Sequence, residues 1–196
     1  WLVAVDGSRT LESGYLTEPY KVISVVNGVT GIPAAELTDK LPTTRDRTSL
    51  LFNSVYHLTD DVLYVSYRYY WDTWNVNSNT IDVKYRHELG NNYLEPHVRY
   101  YKQTAASFYT IDLLDGAPLP DFATADNRLG PLKTMTLGAT YGFRISDYPG
   151  EWNIRAEYIR QTGDSHPADA IGIQRLFDLS PPINTFAVVV GYSMNF

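Results

Sequence analysis

The stretch that decides the fold is the last one, Asn184-Thr-Phe-Ala-Val-Val-Val-Gly-Tyr-Ser-Met-Asn-Phe196. Read backwards from Phe196 to Phe186, every second residue is large and apolar, and the residues between them are mostly small or polar. This period of two predicts a β-strand with one apolar face. A strand of about a dozen residues is near the upper end for soluble sheets and is typical of a tilted strand that crosses a bilayer.

The composition agrees with a membrane-spanning sheet. Aromatic residues make up 14% of the chain, which suits the aromatic girdles of a barrel at two membrane interfaces. Mean hydropathy is -0.26, and no apolar run approaches the roughly 18 residues of a membrane helix, so a helical span is excluded. The net charge of -6 argues against nucleic acid as a partner. Because the chain has no Cys, hydrogen bonding and closure of the sheet must stabilise the fold.

Eight strands can be read along the chain, and their connections alternate in length. Turn-forming residues predict tight turns at 59–60, 90–92 and 146–150, with most of the longer connections between them. Short turns therefore fall on one rim and long loops on the other, which is the outer-membrane arrangement. The predicted strands are 1–8, 48–58, 62–71, 79–89, 93–105, 132–145, 152–162 and a last strand that ends at Phe196.

Strand length, strand number and rim pattern together favour an all-β, antiparallel, up-and-down transmembrane β-barrel over a soluble sandwich or a lipocalin-like barrel. We expect residues 1–196 to form a single barrel domain. We also expect this domain to be a segment of a longer protein, because the stretch from Trp1 to Val5 lacks the features of a signal peptide and reads as a strand under way.

Alternation assigns the strand residues to two faces of the sheet. The residues predicted to line the lumen or pore are Arg68, Asp82, Lys84, Arg86, Glu88, Glu95, His97, Arg99, Tyr101, Arg144, Arg155 and Glu157. Those predicted to face the membrane are Val65, Tyr67, Tyr69, Val83, Tyr85, Val98, Leu137, Tyr141, Ile154, Val188, Val190, Tyr192 and Phe196.

The chain resembles a known but uncharacterised family. Its terminal strand resembles the segment by which bacterial outer-membrane barrels are recognised for insertion. The family itself, a bacterial group of outer-membrane proteins labelled domain of unknown function 3570, is suggested by Ser13-Gly-Tyr-Leu-Thr-Glu-Pro-Tyr-Lys21, Tyr67-Arg-Tyr-Tyr-Trp-Asp-Thr-Trp74, Leu94-Glu-Pro-His-Val-Arg-Tyr-Tyr-Lys-Gln-Thr-Ala-Ala-Ser-Phe-Tyr109 and Ala125-Asp-Asn-Arg-Leu-Gly130. The resemblance implies a Gram-negative outer-membrane location and a complete barrel of about 14 to 16 strands, of which this chain is the C-terminal half. It implies no activity, ligand or catalytic residue.

Charges are densest on the polar face of the two strands that flank Gly90. They could form a wall that filters solutes or binds an anionic group through Arg86 and Arg99. They could instead form a self-neutralising ladder that fixes the strand register, and only this second interpretation predicts full pairing. A turn centred on Gly90-Asn91 opposes Arg86 to Glu95 and Asp82 to Arg99. We expect that register, because the alternative around Asn91-Asn92 opposes Glu88 to Glu95.

The sequence predicts no enzyme, cofactor or metal site. The four histidines, at 57, 87, 97 and 166, lack ligand spacing, and no recognisable nucleophile motif is present. We expect a porin-like channel or transporter for small hydrophilic solutes. The alternative is a scaffold or anchor barrel for a periplasmic or surface partner. The expected partners are outer-membrane lipids, the barrel-assembly machinery that recognises the C-terminal strand ending in Phe196, and a candidate lipoprotein or redox (electron-transfer) protein.

Overall fold

The computed structural model describes residues 1–145 and 150–194, and within them the protein is all-β, with one short 3₁₀ turn at Gly172–Leu176. An eight-stranded sheet dominates, and a small three-stranded sheet lies in the long connections. The strands are β1 Leu2–Ser13, β2 Val22–Val26, β3 Pro33–Thr38, β4 Thr44–His57, β5 Asp61–Asp72, β6 Asn77–Leu89, β7 Asn92–Gln103, β8 Leu113–Leu114, β9 Leu132–Phe143, β10 Glu151–Thr162 and β11 Ile183–Ser193.

The large sheet is an antiparallel meander, as the sequence predicts. Its order is β1-β4-β5-β6-β7-β9-β10-β11, so each strand pairs with the next long strand along the chain. Within the described residues, β1 and β11 are the two edges, and each pairs on one side only. The last strand follows the predicted alternation, but Phe196 and the turn predicted at 146–150 lie partly or wholly outside the described residues.

Two tight turns join strands at one rim. The β4–β5 turn has Thr59 and Asp60 at its centre, closed by the Leu58 N–H donating to the Asp61 carbonyl at 2.9 Å. The β6–β7 turn has Gly90 and Asn91 at its centre, because Leu89 pairs with Asn92. Gly90 has a φ of +69°, which is the requirement for the first central residue of a type II′ hairpin turn. Both turns confirm the sequence prediction.

Two predicted strand boundaries are wrong. Strand β1 continues past residue 8 to Ser13, and β4 begins before residue 48, at Thr44. The extension is a paired ladder from Arg9 opposite Thr48 to Ser13 opposite Thr44. Charged residues interrupt the apolar alternation there, yet they pair across the strands. Arg47 Nη2 lies 2.6 Å from Glu12 Oε2, and Arg9 Nη2 lies 2.6 Å from Asp46 Oδ2.

The connections at the opposite rim, 14–43, 73–76, 104–131 and 163–182, pack together as a unit that we call the cap. It contains β2, β3 and β8, which the sequence does not predict; β2 pairs antiparallel with β3 and parallel with β8. The cap holds most of the buried apolar residues, namely Ile23, Val25, Val26, Trp74, Val76, Ala106, Ala123 and Ala170, whereas the large sheet contributes Tyr93 and Leu132. The apolar core therefore sits in the connections and not on the sheet.

Candidate functional site: the polar face of the sheet

One face of the large sheet carries polar and charged side chains, and the cap folds over one end of it. The Gln103 amide, at the cap-side end of β7, donates to the carbonyls of Arg128 and Gly130 in the cap at 2.9 and 2.7 Å. Strand pairing puts eleven of the predicted lining residues on this polar face, namely Arg68, Asp82, Lys84, Arg86, Glu88, Glu95, His97, Arg99, Tyr101, Arg155 and Glu157. Arg144 differs, because it lies past the end of β9 at the turn-side rim, with a largely exposed side chain 3.7 Å from Glu151.

The β6–β7 register agrees with the prediction, but the side chains choose other partners. Asp82 is paired with Arg99 and Lys84 with His97, and the same register resumes between His87 and Leu94. The Asp82 carboxylate nevertheless contacts His97 Nε2 at 3.0 Å and makes no ion pair with Arg99. The strand pairing is therefore predictable from charge, while the ion pairs are set by the side chains' reach.

His97 sits at the centre of a three-residue bridge across the polar face. Its Nε2 meets Asp82 on β6, and its Nδ1 lies 3.3 Å from Glu157 Oε1 on β10. Glu157 is two strands away from His97, and the residue between them in the row is Gly138. A Cβ at Gly138 would lie 2.7 Å from the Glu157 Cγ, so the glycine leaves the space in which Glu157 lies against the sheet.

A second glycine on β9 serves the same purpose nearer the turn-side rim. A Cβ at Gly142 would lie 2.0 Å from the Tyr93 ring, so the ring lies flat over the glycine of the paired strand. The Arg86 guanidinium stacks 3.6 Å from the centre of the Tyr93 ring, and Arg86 Nε donates to Glu88 at 2.6 Å. Arg86 is thus bound by its own strand and by an aromatic ring.

The cap-side end of the polar face carries arginines that the sequence prediction missed, because they lie in the part of β4 read as a loop. Arg45 Nη2 lies 2.5 Å from Asp72 Oδ2, whose side chain is fully buried, and the guanidinium lies over the Trp74 ring at 4.2 Å. Arg47 pairs with Glu12. The spacing of two residues between Arg45 and Arg47 is the signal that could have placed them on one strand face.

Another ion cluster, beside this end of the sheet, connects two segments of the cap, 14–43 and 104–131. Arg128 Nη2 lies 2.5 Å from both Glu18 Oε2 and Asp126 Oδ2. Burial opposes ionisation of Asp126, but hydrogen bonds from the Arg128 side chain and backbone outweigh it, so the pKa of Asp126 is lowered. Asp126 therefore stays ionised in mildly acidic solution and holds Arg128 in place.

The charges of the polar face are only partly paired. Among the described residues, Lys84, Glu95 and Arg99 make no ion pair within 4.0 Å, and Arg68 donates only to the Ser49 hydroxyl at 3.3 Å. A ladder whose only purpose was to fix the register would leave no such charges, since each unpaired charge needs water around it. The full pairing that a self-neutralising ladder predicts is therefore not found among the described residues.

The opposite face is apolar and exposed. It carries the predicted residues Val65, Tyr67, Tyr69, Val83, Tyr85, Val98, Leu137, Tyr141, Ile154, Val188, Val190 and Tyr192. Aliphatic side chains occupy its middle; Leu137 is 48% exposed and Val188 is 57% exposed. Among the described residues, nothing packs over this band as a second layer.

Tyrosines lie at two levels of the apolar face, above and below the aliphatic middle. On the cap side, the hydroxyls of Tyr67, Tyr69 and Tyr158 donate to asparagines at the starts of β6 and β11. On the turn side, Tyr85 donates to Asp61, and the Tyr141 hydroxyl accepts from Asn92 at 3.1 Å. Each tyrosine therefore keeps its ring on the apolar band and its hydroxyl at the polar end of a strand.

The described residues contain no group of three or more His, Asp or Glu side chains that could hold a metal ion. They also contain no helix long and apolar enough to span a membrane. His97 has carboxylates on both sides of its ring, but no hydroxyl nucleophile contacts it within residues 1–145 and 150–194. What the arrangement offers is a charged surface, one end of which lies beneath a cap.

These features define an all-β protein with an antiparallel up-and-down sheet, one polar face under a cap of loops, and one exposed apolar face. Residues 1–194 match the family described as protein of unknown function DUF3570, and the chain belongs to that family. The match confirms the resemblance found in the sequence, while the expectation that this chain is the C-terminal half of its barrel stays a prediction. No curated protein and no solved structure matches the chain.

Proposed function

We propose that the chain forms part of the wall of a bacterial outer-membrane β-barrel that conducts small hydrophilic solutes, as a porin-like channel. The observation that carries the proposal is the apolar face, on which exposed aliphatic side chains lie between two levels of hydrogen-bonded tyrosines. An apolar band between aromatic girdles is the outward surface of an outer-membrane barrel.

The location of the apolar core supports a lipid environment for the sheet. A soluble sheet buries one face against a second layer, and that contact supplies its core. Here the buried apolar residues lie mainly in the cap, and the apolar face of the sheet stays uncovered. Lipid is the environment in which that face is satisfied without a protein partner.

Closure of the barrel requires further strands. Among the described residues, β1 pairs only with β4 and β11 only with β10, so two edges of 12 and 11 residues have one side unpaired. Unpaired backbone groups at an edge are costly in lipid. We infer that additional strands of the full-length protein join these edges and complete a barrel of about 14 to 16 strands, wide enough to leave an aqueous interior.

A water-filled interior follows from the charges of the polar face. Lys84, Glu95 and Arg99 lack ion-pair partners among the described residues, so they are stable only in contact with water or solute. A wall of this kind filters solutes by charge and hydrogen bonding. We propose no enzymatic activity, because in the described part of the chain the charged groups of the polar face are not accompanied by an activated nucleophile.

A scaffold role is the second candidate, and the outer surface of the cap favours it. Large apolar side chains are exposed there, among them Tyr20 at 89%, Val29 at 83% and Leu176 at 78%. Large exposed apolar side chains of this kind are what a bound protein partner would cover. A lipoprotein or an electron-transfer protein at the membrane is the kind of partner that would cover them.

Single-channel conductance of the folded full-length protein in planar bilayers separates the two functions. A channel gives discrete, ohmic current steps, and the matched control is the same detergent without protein. Silence of protein that shows a β-rich circular dichroism spectrum contradicts the channel. Silence together with a partner that co-purifies in fixed stoichiometry favours the scaffold.

A further inference from the structure

A cavity of about 560 Å³ lies between the polar face and the cap, and its volume is in the range of small-molecule sites. The sheet contributes Arg45, Arg68, Arg99 and Tyr101, and the cap contributes Lys21 and Arg128. Its walls therefore come from both parts of the molecule. The site is built by tertiary structure and could not arise from the sheet alone.

Three of the four carboxylates that line this cavity are already paired with arginines. Glu12 pairs with Arg47, and Glu18 and Asp126 pair with Arg128. The fourth, Asp39, is 4% exposed; its Oδ2 accepts a hydrogen bond from the Thr124 hydroxyl, whereas its Oδ1 has no hydrogen-bond partner among the described residues. A cationic solute would have to displace an arginine from three of these carboxylates, and the fourth, Asp39, is buried.

The positive groups are not all bound. Arg45 is held by Asp72, and Arg47 by Glu12. Arg68 has only the Ser49 hydroxyl, and Arg99 has no carboxylate within ion-pair distance among the described residues, because Asp82 opposite it turns to His97. Two guanidinium groups on the wall are thus left to meet an incoming solute.

Arg68 and Arg99 lie near one point of the wall. Arg68 is paired with Thr80, and Thr80 is paired with Tyr101, so Arg68 and Tyr101 share one row across the sheet. Arg99 precedes Tyr101 by two residues on the same face. Thr80, which lies in the row between Arg68 and Tyr101, also lines the cavity.

We propose that this cavity binds a small organic anion carrying a carboxylate, which Arg68 and Arg99 hold by charge-assisted hydrogen bonds beneath the cap. A guanidinium matches a carboxylate in shape as well as in charge. One part of this proposal rests on the proposed function: if the protein is a channel, the site gives it a preference for anions. Binding itself requires only the folded protein.

The test is calorimetric titration of the folded full-length protein with succinate, in detergent at low salt. We expect saturable binding, at least tenfold weaker in the double variant Arg68→Gln/Arg99→Gln. The matched control is Arg144→Gln, which also removes an arginine charge but lies at the opposite rim. Its affinity should stay within twofold of the unmodified protein. Absence of binding, or equal loss in both variants, overturns the proposal.

Bilayer recordings under a potassium chloride gradient provide a second, independent readout. We expect a reversal potential that indicates anion selectivity. It should shift toward cation selectivity in Arg68→Gln/Arg99→Gln and not in Arg144→Gln. Current that is insensitive to this double variant contradicts the anion site and leaves the channel standing. A silent protein that still binds succinate through the two arginines contradicts the channel and leaves the site standing.

Discussion

The sheet and the cap distribute apolar residues in opposite ways. In the cap, a core of apolar side chains is buried, as Ile23 at 1% exposure illustrates, while others such as Val29 lie exposed at its surface. In the sheet, apolar side chains such as Leu137 are exposed, and the charges face inward under the cap. The buried core of the cap is what a protein in water requires, and the exposed apolar face of the sheet is what the barrel that we propose requires in lipid.

In the barrel that we propose, the boundary between water and lipid crosses the molecule near the cap-side tyrosines. Tyr67, Tyr69 and Tyr158 mark it, because their rings lie on the apolar face and their hydroxyls bond to asparagines at strand ends. Stability in each region should therefore respond to a different kind of substitution.

The largest effect is expected from a cavity in the cap core. Ile23→Ala removes buried methyl groups, and such changes cost about 2 to 5 kcal/mol. Because the sheet has its own stabilising contacts, we expect faster proteolysis of the cap and little change in the β-sheet signal of the protein in bilayers. An equally large loss of sheet structure would show that cap and sheet do not behave as separate regions. Val22→Ala, half exposed on the same strand, is the control.

A charge introduced on the apolar face should lower the free energy of unfolding by nearly as much, whereas the same charge on the polar face should not. Leu137→Arg places a guanidinium in the aliphatic band, and we expect folding into bilayers to lose about 2 to 4 kcal/mol. Thr140→Arg, on the polar face of the same strand between Glu95 and Arg155, should lose much less. Thr136 is a poorer control, because it is only 7% exposed and has little room for a longer side chain. Equal penalties at 137 and 140, measured by urea titration of folding into vesicles, would contradict the two-solvent interpretation.

A smaller effect is expected from filling the space beside His97. Gly138→Val places side-chain atoms against Glu157 and the Ala156 carbonyl, and overpacking of this kind costs about 1 to 3 kcal/mol. The variant should also separate Glu157 from His97. The matched change Ala139→Val, on the opposite face of the same strand, should be nearly neutral. The prediction fails if the two variants have equal stability in the vesicle folding titration.

The smallest effect is a pH dependence confined to the cap. The pKa of Asp126 is below its ordinary value of 3.8 in the folded protein, because hydrogen bonds from Arg128 outweigh burial. A lowered carboxyl pKa contributes stability that is complete above 3.8 and is lost as the pH falls through the lower folded value. As the pH falls below 3.8, we expect an acid-active protease to cleave the cap faster. This increase should be weaker in Asp126→Asn. An unchanged profile in that variant would assign the acid sensitivity to other groups.

The meander could be predicted from sequence because its signals are local. Period-two alternation places Leu137 and Thr136 on opposite faces, and Gly90-Asn91 sets the register that pairs Asp82 with Arg99. Both depend on neighbours within a few residues or on one hairpin.

The cap could not be predicted, because its contacts join distant parts of the chain. Thr124 bonds to Asp39 across 85 residues, and Gln174 bonds to Asp112 across 62. The strands it contains are short, and β8 has only two residues, so no periodic pattern marks them. The cavity between cap and sheet could not be predicted from the sequence for the same reason.

The candidate site was predictable in its composition and not in its pairing. Alternation identifies Asp82, His97 and Glu157 as members of one face. That His97 reaches both carboxylates depends on the missing side chain of Gly138 in the row between β7 and β10. A pairing rule based on directly opposed residues cannot represent such a contact.

The central claim, that the apolar face contacts hydrocarbon and the polar face contacts water, can be tested along β9. Residues 1–196 contain no cysteine. Once any cysteine elsewhere in the full-length protein has been replaced by serine, Leu137→Cys, Ala139→Cys, Thr134→Cys and Thr140→Cys can each carry a single fluorophore in the protein reconstituted in bilayers. We predict that a nitroxide on the lipid acyl chains quenches the labels at 137 and 139, and that iodide in the water quenches those at 134 and 140. Quenching that fails to alternate, or water access at 137 equal to that at 140, would contradict the account.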